Sequence, residues 1–142
     1  MVHHADIVVN KAADEVISST TMQDDDHLTL AVKSGRKYRF RLHLFCNFGS
    51  ATEGIKLALS GITATVFRMY VGFAGAAPAY VEAIDGETST SLIVGNIQIT
   101  VDGYIEPSQD GNLKLRWAQF AGTGLASTTL FKGSWMELIE VD

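Results

Sequence analysis

The densest cluster of reactive side chains is Asp24-Asp25-Asp26-His27. Three consecutive carboxylates offer the oxygen ligands that Ca²⁺ prefers. The spacing of a helix–loop–helix calcium site is absent, with no Gly at the sixth place and no Glu at the twelfth. The run therefore reads as a solvated acidic turn entering a strand at Leu28, and no metal site is expected. His3 and His4 lie near the amino terminus, where a histidine in third position suits Cu²⁺ or Ni²⁺. The small Val2 favours removal of Met1, which spoils that spacing, so a plain terminus is expected. His43 and Cys46 differ in parity, so one strand sends them to opposite faces and they make no nucleophile–base pair. Cys46 reads as a small buried hydrophobe. Glu82, Asp85 and Glu106 are candidates for a glycosidase carboxylate pair, but no spacing singles them out. No Gly-x-Ser-x-Gly, phosphate loop or dinucleotide fingerprint occurs. The expectation is a protein that is not an enzyme, with no catalytic residue and no cofactor.

A second pattern concerns contact rather than catalysis. Lys37, Arg39, Arg41 and His43 occupy alternate positions. Four donors on one strand face suit a phosphate, a glycan or an acidic partner, and equally a plain solvated face. A subunit contact is the third option, with Asp24, Asp25 and Asp26 meeting Arg39, Arg41 or His43 of a neighbouring copy. Such rim charges set register more than affinity. Trp117 and Trp135 are expected in the core or at an interface rather than on a sugar-stacking platform.

The elements that must position these residues are strands. Tyr38, Phe40, Leu42, Leu44 and Cys46 alternate with the basic stripe, a strand with one buried face. Leu28, Leu30 and Val32 alternate in the same way, and Ser34-Gly35 supplies a turn, so residues 27–46 read as a β-hairpin. Further strands are expected over 55–60, 65–71, 80–84, 92–101, 101–105, 113–117, 125–131 and 135–141. Asp102-Gly103 reads as a tight turn or bulge and Lys132-Gly133 as a hairpin turn. Residues 10–17 are a weak helix candidate. The whole is an all-β, antiparallel β-sandwich of jelly-roll type. Residues 1–20 form a short N-terminal arm or, alternatively, an edge strand built on Ile7 to Val9, and residues 21–142 form the sandwich.

The chain has 142 residues, which suits one domain. Hydrophobic residues make up 46% and charged residues 19%, so a real core is expected. A net charge of −5 argues against nonspecific nucleic-acid binding. A single cysteine excludes a disulfide scaffold within the chain. Neither a signal peptide nor a membrane-length apolar run is legible, so a soluble protein made in a reducing cytoplasm is expected.

Several segments carry a resemblance. They are Ala13-Asp14-Glu15, the run from Ser18 to Leu28, Tyr38-Arg39-Phe40-Arg41, Ile55 to Leu59, Val101-Asp102-Gly103-Tyr104, Leu115-Arg116-Trp117-Ala118-Gln119, and Phe131 to Met136. Together they resemble small β-sandwich structural proteins of tailed bacteriophages, over most of the chain. The region 72–88 fits least well. The resemblance implies a jelly roll, often trimeric, on the virion surface, and it implies no catalytic residues. The expected role is a homotrimeric capsid decoration, or cement, protein that contacts the major capsid protein or other virion proteins. It implies no nucleic-acid or membrane partner. The alternative is a receptor-binding or tail-tip module that touches a host glycan through loops at 72–79 or 120–127.

Overall fold

A computed structural model describes residues 6–50, 53–73, 78–90, 95–121 and 126–142. His3, His4 and parts of both proposed tip loops lie outside the described residues. Among the described residues twelve strands appear: β1 Asp6–Asn10, β2 Glu15–Ile17, β3 Gln23–Val32, β4 Lys37–Phe48, β5 Ile55–Ser60 and β6 Ala64–Phe73. The remaining six are β7 Ala79–Val81, β8 Thr88–Thr90, β9 Gly95–Pro107, β10 Gly111–Ala118, β11 Thr128–Leu130 and β12 Trp135–Val141. Among the described residues there is no helix, and residues 10–17 instead end β1 and form β2.

The strands build two antiparallel sheets. The larger has eight strands in the order β1-β12-β4-β9-β6-β7, with β11 joined to β4 and β2. The smaller runs β3-β10-β5-β8. Without the additions β2, β6, β7 and β11, eight strands remain. The first, eighth, third and sixth of these lie side by side in one sheet, and the second, seventh, fourth and fifth in the other. That is the jelly-roll order, in which the chain crosses between sheets at nearly every step. The β6–β7 hairpin widens the larger sheet beyond β9.

Alternation in sequence produced these strands, and burial follows it. Along β4, Tyr38, Phe40, Leu42, Leu44, Cys46 and Phe48 all face the core, opposite Leu28, Leu30 and Val32 of β3. Leu113, Leu115 and Trp117 of β10 and Ile97, Ile99, Val101 and Ile105 of β9 fill the space between the sheets. Burying such side chains stabilises by about 25 cal/mol per Å² of apolar surface.

Three expectations about connections need correction. The 27–46 segment is not a hairpin, because β3 and β4 lie in different sheets. Both strands turn their apolar face inward, and only opposed sheets let them do so against each other. Asp102-Gly103 is not a turn, since β9 runs unbroken past it and pairs with β4 and β6 on either side. Gly103 is there because the Phe40 ring and the Arg68 carbonyl occupy the space a Cβ would need. Lys132-Gly133 is not a hairpin turn either. β11 and β12 both pair with β4, one after the other along the same edge. Residues 131–134 bulge out between them, with Gly133 at φ 93°.

The opposite pair of segments shows the matching break. β1 pairs with β12 and β2 with β11, so residues 6–17 form an interrupted outer strand of the larger sheet. Residues 6–17 thus lie at the outer edge of the larger sheet. At the break, Lys11 N–H donates to the Ser134 carbonyl at 2.7 Å and Gly133 N–H donates to the Lys11 carbonyl at 3.0 Å. The Lys11 side chain turns into the sandwich and is 1% exposed.

Candidate functional site: the outer face of the larger sheet

The sequence-selected residues fall into two places. The acidic run belongs to the smaller sheet and the basic stripe to the larger one, on opposite sides of the sandwich. From Thr29 to Asp24, β3 advances five positions while β10 advances two, from Lys114 to Arg116. The surplus loops out and swings Asp25 inward. Asp25 is therefore no solvated turn residue and no subunit contact, because its side chain has no exposure.

Asp25 is the acceptor of a buried knot. Its Oδ1 accepts from Lys11 Nζ at 2.6 Å and from Trp117 Nε1 at 3.1 Å. Its Oδ2 accepts from the backbone N–H of His27 at 3.0 Å and of Leu28 at 2.8 Å. Lys11 Nζ also donates to Glu15 at 2.7 Å and lies 3.4 Å from His27 Nδ1. Burial alone would raise the Asp25 carboxyl pKa, but its hydrogen bonds from Lys11, His27 and Leu28 outweigh this and leave it lowered. Burial likewise opposes the Lys11 ammonium, yet its bonds to Asp25 and Glu15 leave its pKa raised. Asp24 stays at the surface, paired with Lys114 at 3.0 Å and Arg116 at 3.3 Å. Asp26 is exposed. Among the described residues no group of three His, Cys, Asp or Glu side chains is placed to hold a metal.

Of the segments that carry the sequence resemblance, 13–15, 18–28 and 115–119 supply side chains or N–H groups to this knot, and 131–136 holds the Lys11 backbone. Lys132 N–H donates to Asp14 at 2.8 Å, and Ser134 Oγ accepts from Phe45 N–H at 2.9 Å. Gln119 is buried, its N–H donating to the Ser19 carbonyl and its side-chain amide to the Ala126 carbonyl. These residues hold the N-terminal strands against the sandwich, which is a structural task.

The outward face of the larger sheet is different in kind. Cross-strand register sets its side chains in rows. One row reads Trp135, His43, Thr100, Gly72 and the next reads Glu137, Arg41, Asp102, Tyr70, Tyr80. A third joins Ile139, Arg39, Tyr104 and Arg68. His43 stacks on Trp135 with ring centres 4.5 Å apart and planes 12° from parallel. Its Nδ1 lies 2.9 Å from the Gln98 side-chain amide. Tyr70 and Tyr80 form a second aromatic pair at 4.7 Å, and they are 57% and 43% exposed. Arg41 pairs with Asp102 at 3.1 Å, while Arg68 pairs with Glu82 at 3.6 Å and donates to the Tyr80 hydroxyl at 3.0 Å. A depression of about 260 Å³ opens between Arg39, Arg41, Asp102, Glu137 and Ile139.

Arg39, Arg41 and His43 thus share one outward face, as their alternation requires. Trp117 is a core residue that donates to Asp25, whereas Trp135 is half-buried beside His43. Cys46 points inward, away from His43, and burial pushes its thiol up to about 12. Glu82 and Glu106 have separate partners, Arg68 and the Tyr104 hydroxyl. The tyrosine pair escaped sequence reading because Tyr70 and Tyr80 meet only through the β6–β7 register. A further feature is the outer edge of β1 and β2. Ile7, Val8 and Val16 are 46%, 51% and 61% exposed there. A groove of about 310 Å³ lies beside it, lined by Ile7, Ala31, Lys33, Tyr38 and Leu138 among others.

No family model and no curated protein matches the chain. Among solved structures it is similar to TmCBM61 in complex with β-1,4-galactotriose. That pair is 14% identical, covers 81% of this chain and 87% of the other, and has a TM-score of 0.43. It is also similar to a family two carbohydrate esterase from Cellvibrio japonicus, at 8% identity and a TM-score of 0.28, covering 98% of this chain and 34% of that one. These are likenesses of architecture, and neither a ligand nor a reaction is carried over from them.

Proposed function

We propose that the chain is a non-enzymatic structural protein of a tailed-phage virion, a capsid decoration protein that acts as a homotrimer. The observation that supports assembly is the edge formed by β1 and β2. Ile7 and Val8 have opposite parity, yet both are exposed, so the edge is apolar on both of its faces. An outermost strand with apolar side chains is a site of uncontrolled pairing unless something covers it. A closed ring of copies covers every such edge equally. The segments that resemble phage structural proteins supply the virion context. The net charge of −5 suits a surface that must not adhere to DNA.

Antibody raised against the purified domain tests this on particles of the phage that encodes it. Gold label distributed over the heads in electron micrographs is the expected result. Label confined to the tail would overturn decoration in favour of a tail module, and unlabelled particles would overturn the virion assignment.

A further inference from the structure

The tyrosine pair lies away from the β1–β2 edge, across the width of the larger sheet. It has no part in the assembly proposed above. Three observations describe a small, specific surface there. First, Tyr70 and Tyr80 present adjoining, tilted rings to solvent, and the Arg68 guanidinium fixes the Tyr80 hydroxyl. Aromatic rings so exposed offer an apolar plate with a polar handle. Second, the next row carries no side chain at Gly72. A Cβ there would stand 2.8 Å from Thr100 Oγ1, so the glycine leaves that hydroxyl uncovered beside the plate. Along the same row His43 lies two strands from Gly72 and Trp135 three, so the distance from β6 to β4 is about 10 Å at the usual strand spacing. Third, the charges beside it are paired. Arg41 lies 3.1 Å from Asp102 and Arg68 3.6 Å from Glu82, while Arg39 and Glu137 further along the face are of opposite sign, so donors and acceptors are offered without a net charge.

These features select a ligand class. A polyanion would need uncompensated cations, and an apolar peptide would need a dry, deeper groove. A neutral sugar has C–H faces that stack on rings and hydroxyls that both donate and accept hydrogen bonds. It needs planar, charge-balanced partners such as the Arg41–Asp102 pair. A face that spans the two strand spacings from β6 to β4, about 10 Å, has room for a short oligosaccharide rather than a single ring. We propose that the face formed by Tyr70, Tyr80, Gly72, Thr100 and the Arg41–Asp102 pair binds a neutral oligosaccharide. This places a glycan site on the sheet face, with Gly72 near the end of β6, instead of at the tips of the expected loops.

The test is saturation-transfer NMR and affinity electrophoresis of the whole chain against a fixed panel. The panel holds gluco-, galacto- and manno-oligosaccharides of three to six units, with sialyl-lactose and heparin fragments as anionic comparators. The expected result is binding of at least one neutral member, with affinity the same at low and high salt because no charge is exchanged. Tyr70→Ala should weaken it at least about tenfold, the loss of one stacking contact. Tyr70→Phe should stay within about threefold, since the ring is kept. Circular dichroism and the melting temperature of Tyr70→Ala should match the parent, because the removed ring is exposed. The proposal is overturned if no neutral member binds, if only anionic members bind and salt abolishes it, or if Tyr70→Ala binds as the parent does. It is equally overturned if Tyr70→Ala lowers the native mass, which would make this face a contact between copies. Failure here leaves the particle-labelling result untouched, so the two readings fall separately.

Discussion

Asp25 holds four N–H donors on one carboxylate, from Lys11, Trp117, His27 and Leu28, and Lys11 donates to Glu15 as well. That inequality ranks two substitutions. Removing one member of a buried ion pair costs about 3–5 kcal/mol. Lys11→Met should fall near the lower end, because Asp25 keeps the N–H groups of His27, Leu28 and Trp117. Asp25→Leu should reach the upper end, because it strands those three donors at once and leaves the buried Lys11 ammonium with Glu15 alone. Urea unfolding of the two variants checks the order, and equal costs would contradict it. The same pair predicts a pH window. Asp25 is lowered on folding, so its contribution is present above about pH 4, the ordinary carboxylate value, and is lost as pH falls through the lowered value. Lys11 is raised, so its contribution is present below about pH 10.4 and is lost as pH rises through the raised value. The melting temperature should decline on both flanks, and Lys11→Met should soften both declines. Gly103 makes a third residue-scale test. Gly103→Ala drives a methyl into the Phe40 ring and the Arg68 carbonyl, an overpacking expected to cost about 1–3 kcal/mol or more.

At the scale of elements, the strands that alternate were legible and their connections were not. Period-two patterns located β3, β4, β5 and β10 and named inward residues of each, while β6 was legible from its β-branched and aromatic residues. Pairing partners are set between strands far apart in sequence, so local turn signals misled at Ser34-Gly35, Asp102-Gly103 and Lys132-Gly133. A glycine there served a crossing between sheets, a close ring approach and a bulge, none of which leaves a local pattern. The acidic run misled for a related reason. Its burial follows from three surplus residues in β3, and a surplus exists only relative to β10. The aromatic face was half legible, since the basic stripe on β4 was visible but the Tyr70–Tyr80 contact depends on a short hairpin register. The β1–β2 edge yields its own prediction. Val8→Lys with Val16→Lys places two charges on exposed strand positions, the device by which natural edges avoid pairing. The double variant should keep its melting temperature within a few degrees at low concentration and lose self-association. Unchanged association would show that copies meet elsewhere.

At the scale of the molecule, the jelly-roll order follows from the inward faces. Nearly every strand after the first has one apolar face, and a chain that crosses at each step can turn all of them towards one core. The N-terminal segment is tied into that core by Lys11 rather than left as an arm, so deletion of residues 1–12 should unfold the domain and not merely detach it from a partner. What faces outward then divides by position, with an apolar edge at β1–β2 suited to copies of the chain and an aromatic, charge-balanced face suited to a neutral ligand. The central claim is assembly through the edge, and light scattering of the purified chain over a range of concentrations tests it most directly. The account predicts the mass of a trimer for the parent and of a monomer for Val8→Lys with Val16→Lys. A parent that stays monomeric throughout the range, or a trimer that survives both substitutions, would contradict it.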